Sequence, residues 1–341
     1  MELTKVRDSI GSDVVPDVVA WTPVRDGFVG ISRSWQFVHV DTLGALSIVP
    51  FDGPSTEERD QFHFGGICSD GTAVALEVTV RGATNSEMWV TDDAHLVQRI
   101  RVPFSTDGCG WAGEWVGFAR SADRFSMRST TTNAVFWEQV ASSTRENTGV
   151  NPYQQVAQAS GSAGGAVFAY GPSEVLFVRY ANQSLRIPLK LDSSEISQRM
   201  IDDWIRQRED YQEAQIEMWS ARHRARLPGA ETDVSASLRR EVHDVVSAVR
   251  RTVRAGSWRK TAYVLPVNDS TLWLRRPLHR IDFVHLRRGV MGRAIVDADH
   301  DLVAATGRWI LAIEDHTQGI VHSGAPIRRH AVLLALPRVP R

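Results

Sequence analysis

The sequence predicts an all-β, six-bladed β-propeller carrying an α-helical hairpin between its fourth and fifth blades. Three observations lead there. Short β-favouring runs, joined by Gly-containing turns, return in groups of four about every 40 to 50 residues, the size of a propeller blade. One segment, 192–256, abandons the two-residue alternation for a period near 3.6. The last group is one strand short, while the N-terminus has a strand left over.

The first group comprises Val18–Trp21, Phe28–Ser32, Gln36–Val40 and Ala45–Val49, with Asp26-Gly27 turning between its first two runs. Phe62–Cys68, Thr72–Val80, Glu87–Val90 and Leu96–Val102 form the second, again turning at an Asp-Gly pair, Asp70-Gly71. The third runs through Cys109–Ala112, Trp115–Ala119, Arg124–Ser129 and Ala134–Val140, and the fourth through Val156–Ser160, Ala166–Tyr170, Glu174–Tyr180 and Ser184–Leu189. Ala262–Val267 followed by STLWLRRPLHRIDFVHLRRGVMGRAIV supplies the fifth. Asp301–Ala305, Trp309–Glu314 and Gly319–Ala325 give three strands of a sixth. The spare strand within 3–10 is expected to complete that sixth sheet, so that one unit spans 1–341 and no open edge is left at the closure. A four-stranded sheet cannot bury both faces alone; a ring of them does. The rival arrangements are a β-sandwich with a helical domain, or two unrelated β domains.

The stretch DSTLWLRRPLHRIDFVHLRRGVMGRAIVDADHDLVAATGRWILAIEDHTQGIVHSG resembles the C-terminal blades of the bacterial six-bladed propellers related to NHL repeats. In that family a D-x-x-LWV strand precedes a vfd-x-x-G strand and a final gd-x-v-x-x-v strand. VRDGFVGISRSWQFVHVDTLGALSIV is similar to an opening blade of the same group. The resemblance covers nearly the whole chain outside the helical segment and implies a fold, with no reaction attached. Most such relatives look exported.

Within 192–256, Ile196, Met200, Trp204, Tyr211 and Met218 share one helical face, and Asp192 with Glu195 has capping-box spacing. Leu227-Pro228-Gly229 breaks that helix. Leu238, Val242, Val245, Val246, Val249 and Val253 then form the apolar stripe of a second. The first half, 192–217, holds eight acids against three arginines; 222–260 holds ten basic residues against four acids. Antiparallel helices would set these charges face to face. The alternative is a docking arm whose basic half, Arg222, Arg224, Arg226, Arg250, Arg251 and Arg254, meets an acidic partner. Only Trp258 offers a stacking ring nearby, so nucleic acid is not an expected partner.

Composition narrows the function classes. Across 341 residues, 39 Lys and Arg nearly cancel 40 Asp and Glu, so the whole chain advertises neither nucleic acid nor an anionic membrane. No run approaches the ~20 apolar residues of a membrane span. The N-terminus lacks the apolar core of a signal peptide, which taken literally means a cytoplasmic protein, in tension with the exported relatives. There is no GxSxG, HExxH, P-loop or strand-to-helix GxGxxG, and Gly161-Ser162-Ala163-Gly164-Gly165 leads into a strand, where it reads as a turn. No cofactor is expected. The histidines His63, His279, His285, His316 and His322 are scattered, although a divalent metal held by several blades stays open. Cys68 and Cys109 fall in the first strands of successive blades; two separate buried thiols are expected, since a bridge needs Cα atoms within about 7 Å.

One recurrence points to binding. Exits from second strands open on one face of a propeller, and four of the six carry arginine: Arg33, Arg81, Arg120 and the pair Arg275-Arg276. Such a mouth suits a carboxylate, a phosphate or a sulfated glycan. The expected function is therefore a monomeric, non-catalytic binding or scaffolding propeller for a protein or an anionic ligand. The alternative is a hydrolase or lyase, metal-dependent or not, with its site at the channel mouth.

Overall fold

The computed structural model describes residues 4–5, 18–55, 59, 61–80, 85–121, 124–140, 158–170, 175–189, 263–275, 280–295, 300–307, 309–315 and 329–335. Within the segment joining the fourth and fifth blades it describes 194–199, 201–203, 205–206, 209–210, 213, 236, 239–240, 243–244, 246–247 and 256–258.

Among the described residues, six four-stranded antiparallel sheets form the ring, and a two-stranded sheet stands in the inserted segment. Blade one is β2 (Val18–Val24), β3 (Gly27–Ser32), β4 (Gln36–Asp41) and β5 (Leu46–Pro50). Blade two is β6 (Phe62–Ser69), β7 (Val74–Val80), β8 (Ser86–Asp92) and β9 (His95–Arg101). Blade three is β10 (Cys109–Trp111), β11 (Trp115–Arg120), β12 (Arg124–Ser129) and β13 (Val135–Val140). Blade four is β14 (Gln158–Gly161), β15 (Val167–Tyr170), β16 (Val175–Arg179) and β17 (Ser184–Pro188). Blade five is β20 (Tyr263–Asn268), β21 (Thr271–Arg275), β22 (Arg280–His285) and β23 (Gly289–Ile295). Blade six runs β24 (His300–Thr306), β25 (Trp309–Asp315), β26 (Arg329–Ala335), and its outermost strand is β1 (Thr4–Lys5), paired antiparallel with β26 through Thr4↔Ala335. First strands touch in the order β2, β6, β10, β14, β20, β24 and back to β2, which closes the ring.

Period-two alternation explains why the ring holds together. On β7, Val74, Leu76 and Val78 pack toward blade one with Trp35, Phe51 and Trp89, whereas Ala75 packs toward blade three with Cys109 and Trp115. Each of the six interfaces between neighbouring blades has its own apolar cluster. Second strands are buried on both faces and so read as near-continuous apolar runs, VALEVTV among them.

Two expectations need correction. The third strand of blade six is Arg329–Ala335, not Gly319–Ala325, which lies outside the described residues. Residues 194–196 do not open a helix: Ser194–Ile196 (β18) pairs antiparallel with Gly256–Trp258 (β19), forming a two-stranded neck at the root of the inserted segment. Ile196 and Trp258 are β-favouring residues at the point where two chain ends must run side by side, so the ladder displaces the Asp192/Glu195 cap. Beyond the neck the described residues 198–199, 201–203, 205–206, 209–210, 213, 236, 239–240, 243–244 and 246–247 are helical, and they do not establish the expected hairpin over 192–256. Among the described residues no helix is long and apolar enough to cross a membrane.

Candidate functional site

The innermost strands enclose a cavity of about 170 Å³ that touches all six blades, through Pro23, Cys68, Cys109, Gly161, Pro266 and Ala305 among others. Each of these residues lies at or near the end of a first strand, just before the turn to the second strand in five of the blades.

Those turns join into a floor. The Thr306 hydroxyl of blade six donates to the Val24 carbonyl of blade one at 3.3 Å, and the Arg25 amide of blade one donates to the Gly71 carbonyl of blade two at 3.2 Å. Gly71 adopts φ +100°, and a Cβ there would run into the carbonyl oxygen of Ala163, on blade four. Blade four thus reaches past blade three to touch blade two. Ser162 donates to the Asp269 carboxylate of blade five at 2.7 Å, and the Tyr180 hydroxyl donates to the Asp269 carbonyl, also at 2.7 Å. Hydrogen bonds between turns therefore link blades six, one and two, and blades four and five, at one end of the ring, with blade two closely approaching blade four at Gly71.

The opposite end carries charge. Asp107, immediately before β10, lines the cavity, and its Oδ2 accepts from Arg120 Nε at 2.7 Å. Its side chain is 55% exposed and that of Arg120 34%, so this pair sits at the lip in contact with solvent. The Arg120 guanidinium also lies 5.1 Å over the Phe125 ring. Behind the lip is Glu77, on the β7 face that looks toward blade three and 1% exposed. Its carboxylate accepts the Thr106 hydroxyl and, at 2.8 Å, the Gly108 amide. Gly65 leaves room for it, because a Cβ there would stand 2.7 Å from the carboxylate. Burial pushes the Glu77 carboxyl above its ordinary range; the Thr106 and Gly108 bonds oppose that shift, and the nearby Asp107 charge adds to it. Bonds from Asp107 N–H to the Phe118 carbonyl, 2.6 Å, and from Phe118 N–H to the Gly108 carbonyl, 2.9 Å, complete the support. Asp107 therefore stands on a rigid segment.

Cys68 and Cys109 are joined by a disulfide, with Cα atoms 5.7 Å apart, which corrects the expectation of two separate thiols. Adjacent first strands β6 and β10 bring the two side chains together in the channel wall, and the bridge staples blades two and three.

Of the arginines read from the sequence, Arg33 is exposed on the β3–β4 turn, Arg120 ends β11, and Arg275 ends β21. By strand direction all three stand at the end of the ring where Asp107 lies. Arg81 and Arg276 are outside the described residues, as are Arg222, Arg224, Arg226, Arg250, Arg251 and Arg254. His63 is exposed on β6, and His285 accepts the Arg287 amide at 3.1 Å; His279, His316 and His322 lie outside the described residues. Among the described residues no three His, Cys, Asp or Glu side chains are grouped to hold a metal. Sequence reasoning missed Asp107 and Glu77. The signal for Glu77 was available: it is the one acid in an otherwise apolar and hydroxyl-bearing second strand.

No family model and no curated protein matches the sequence. Among solved structures, a Bacteroides fragilis protein described as exported is similar at 10% identity and TM-score 0.46, over 98% of this chain and 93% of its own. The β-propeller domain of Cps50 (Swd1) from Myceliophteria thermophila is similar at 10% identity and TM-score 0.40, over 98% of this chain and 100% of its own. Hydrazine synthase of Kuenenia stuttgartiensis is similar at 9% identity and TM-score 0.38, over 97% and 98% respectively.

Proposed function

We propose that this propeller is a non-catalytic binding module that receives its ligand or partner at the mouth of its central channel. The observation that carries this reading is the channel itself, lined by all six blades, with bonded turns at one end and the Asp107–Arg120 pair at the other. Its volume of about 170 Å³ falls short of the roughly 300–1,000 Å³ of pockets that engulf a drug-sized molecule, so only a small group enters and the rest rests on the mouth.

In this reading Arg33, Arg81, Arg120, Arg275 and Arg276 contact carboxylate, phosphate or sulfate groups of the ligand. The inserted segment is a helical hairpin beside the mouth, a view supported by the ion pair of Arg239 Nη2 with Glu213 Oε1 at 2.6 Å, which joins its acidic and basic halves. Its arginines Arg222, Arg224, Arg226, Arg250, Arg251 and Arg254 offer a second contact to an acidic protein partner. The Cys68–Cys109 bridge favours work in an oxidising compartment.

The test is a thermal-shift screen of purified protein against sugar phosphates, sulfated glycans, acidic peptides, amino acids and divalent metals, with metal analysis of the same sample. Stabilisation by compounds carrying an anionic group, lost when Arg33, Arg120 and Arg275 are replaced by alanine, is expected. A stoichiometric metal with no response to any of these compounds would transfer the site to metal-dependent chemistry.

A further inference from the structure

We propose that the outer edge of blade one is a dimer interface, in which β5 pairs antiparallel with β5 of a second copy of this chain about a two-fold axis at Ile48. The interface lies on the rim and is independent of the mouth.

Three observations lead there. First, the backbone of β5 has one side to spare. It ends the sheet order β2-β3-β4-β5, so among the described residues no strand lies beyond it. The Asp41 amide donates to the Ala45 carbonyl at 3.1 Å and the Phe51 amide to the Trp35 carbonyl at 3.0 Å, in the register that sets Val38 opposite Ile48. Bonded pairs alternate along an antiparallel ladder, so Ser47 and Val49 turn their peptide groups to β4, while Leu46, Ile48 and Pro50 turn theirs outward.

Second, β5 lacks the charge that guards the other rims. Of the six outermost strands described, β9 carries Arg99 and Arg101, β13 Glu138, β17 Arg186, β23 Arg293 and β1 Lys5; β5, with the sequence LSIVP, carries none. Its Ile48 and Val49 are 41% and 44% exposed. Charged side chains on an edge strand are a common bar to edge-to-edge pairing, and here the bar is absent.

Third, the missing charge selects a second copy over a different protein. A foreign strand can neutralise a charged edge with the opposite charge. A strand meeting itself about a two-fold axis sets side chains near the axis beside their own copies, where like charges repel. Blade four supplies the comparison. β17, SLRIP, has the same length and also ends in proline; the Tyr180 amide donates to the Gln183 carbonyl at 2.8 Å, and that register turns Ser184, Arg186 and Pro188 outward. Its central outward residue is Arg186 where β5 has Ile48, so the same pairing there would press two guanidinium groups together.

Centred on Ile48, the amides and carbonyls of the two Ile48 residues bond reciprocally, and each Leu46 amide meets a Pro50 carbonyl across the seam. Pro50 has no N–H to give, which leaves only the Leu46 carbonyl to water. A seam of this length is short beside a standard interface of roughly 800 Å² per partner, so the dimer dissociates on dilution.

The experiment is sedimentation velocity of the full chain over a concentration series, on the wild type, Ile48→Val, Ile48→Lys and Val97→Lys, the last an exposed apolar position on β9. Thermal melts establish that the variants fold. A reversible dimer is expected in the wild type, Ile48→Val and Val97→Lys, with the dissociation constant raised at least about tenfold in Ile48→Lys. A wild type that is monomeric at every concentration would overturn the inference, as would a dimer equally tight in Ile48→Lys or equally weakened in Val97→Lys. A monomer whose residues 46–50 are protected from deuterium exchange by the uncharged peptide TVTVTV would assign the edge to another protein's strand and overturn the second copy as its occupant.

Discussion

Reduction of the Cys68–Cys109 bridge offers a perturbation whose size follows from the topology. The two cysteines are 41 residues apart in sequence and join the first strands of blades two and three. Closing a loop of that length in the unfolded chain removes about 13 cal/mol/K of entropy, which stabilises the folded state by about 4 kcal/mol at 25 °C. With an unfolding entropy of about 2.1 cal/mol/K per residue, a 341-residue chain loses about 0.7 kcal/mol per degree near its midpoint, so the bridge corresponds to about 5 °C in Tm. The assay compares melts of oxidised protein, protein reduced with a phosphine, and the Cys68→Ser/Cys109→Ser double variant, with thiols counted in denaturant before and after reduction. The oxidised sample should show no free thiol, and the other two should melt together, about 5 °C lower. Two free thiols in the untreated sample, or coincident melts in all three, would refute the reasoning.

Two further predictions concern the lip and the floor. Glu77 has its carboxyl raised in the folded state, so its contribution to stability is fully present below the unfolded value and is lost as pH rises through the folded one. The stability of the wild type relative to Glu77→Gln should therefore fall as pH rises above about 4.5, followed by urea unfolding at several pH values; a difference independent of pH would contradict the burial account. At the floor, Gly71→Ala should cost more than Gly289→Ala. Both have positive φ, costing about 1–2 kcal/mol for a Cβ, yet only Gly71 faces a carbonyl across the ring, whereas nothing lies within 4 Å of a Cβ at Gly289. Equal losses of Tm would mean that the turns do not meet.

The blades were legible because two local signals coincide at each of them. Asp26-Gly27 and Asp70-Gly71 mark the turns, and the alternation on either side sends successive side chains to opposite neighbours. Legibility failed where that coincidence lapses. After Trp309–Asp315 the nearer run, 319–325, fits the short spacing of the other blades, whereas the strand that pairs lies further along, Trp309↔Ala335. The cysteine bridge was half legible: adjacency followed from the repeat, but whether the side chains point at one another depends on register. Asp107 was invisible for a different reason. It belongs to a connection between blades, and only its bonds to Arg120 and Phe118 distinguish it from any other Asp-Gly turn.

The central claim is that ligands enter at the lip and stop at the floor. The most direct measurement is hydrogen–deuterium exchange of the full chain with and without the compound that stabilises it most in the thermal screen. Slower exchange confined to 33–37, 106–110 and 118–121, with the floor turns 25–27, 70–73 and 162–165 unchanged, is the result predicted. Protection at the floor turns with an unchanged lip would contradict it.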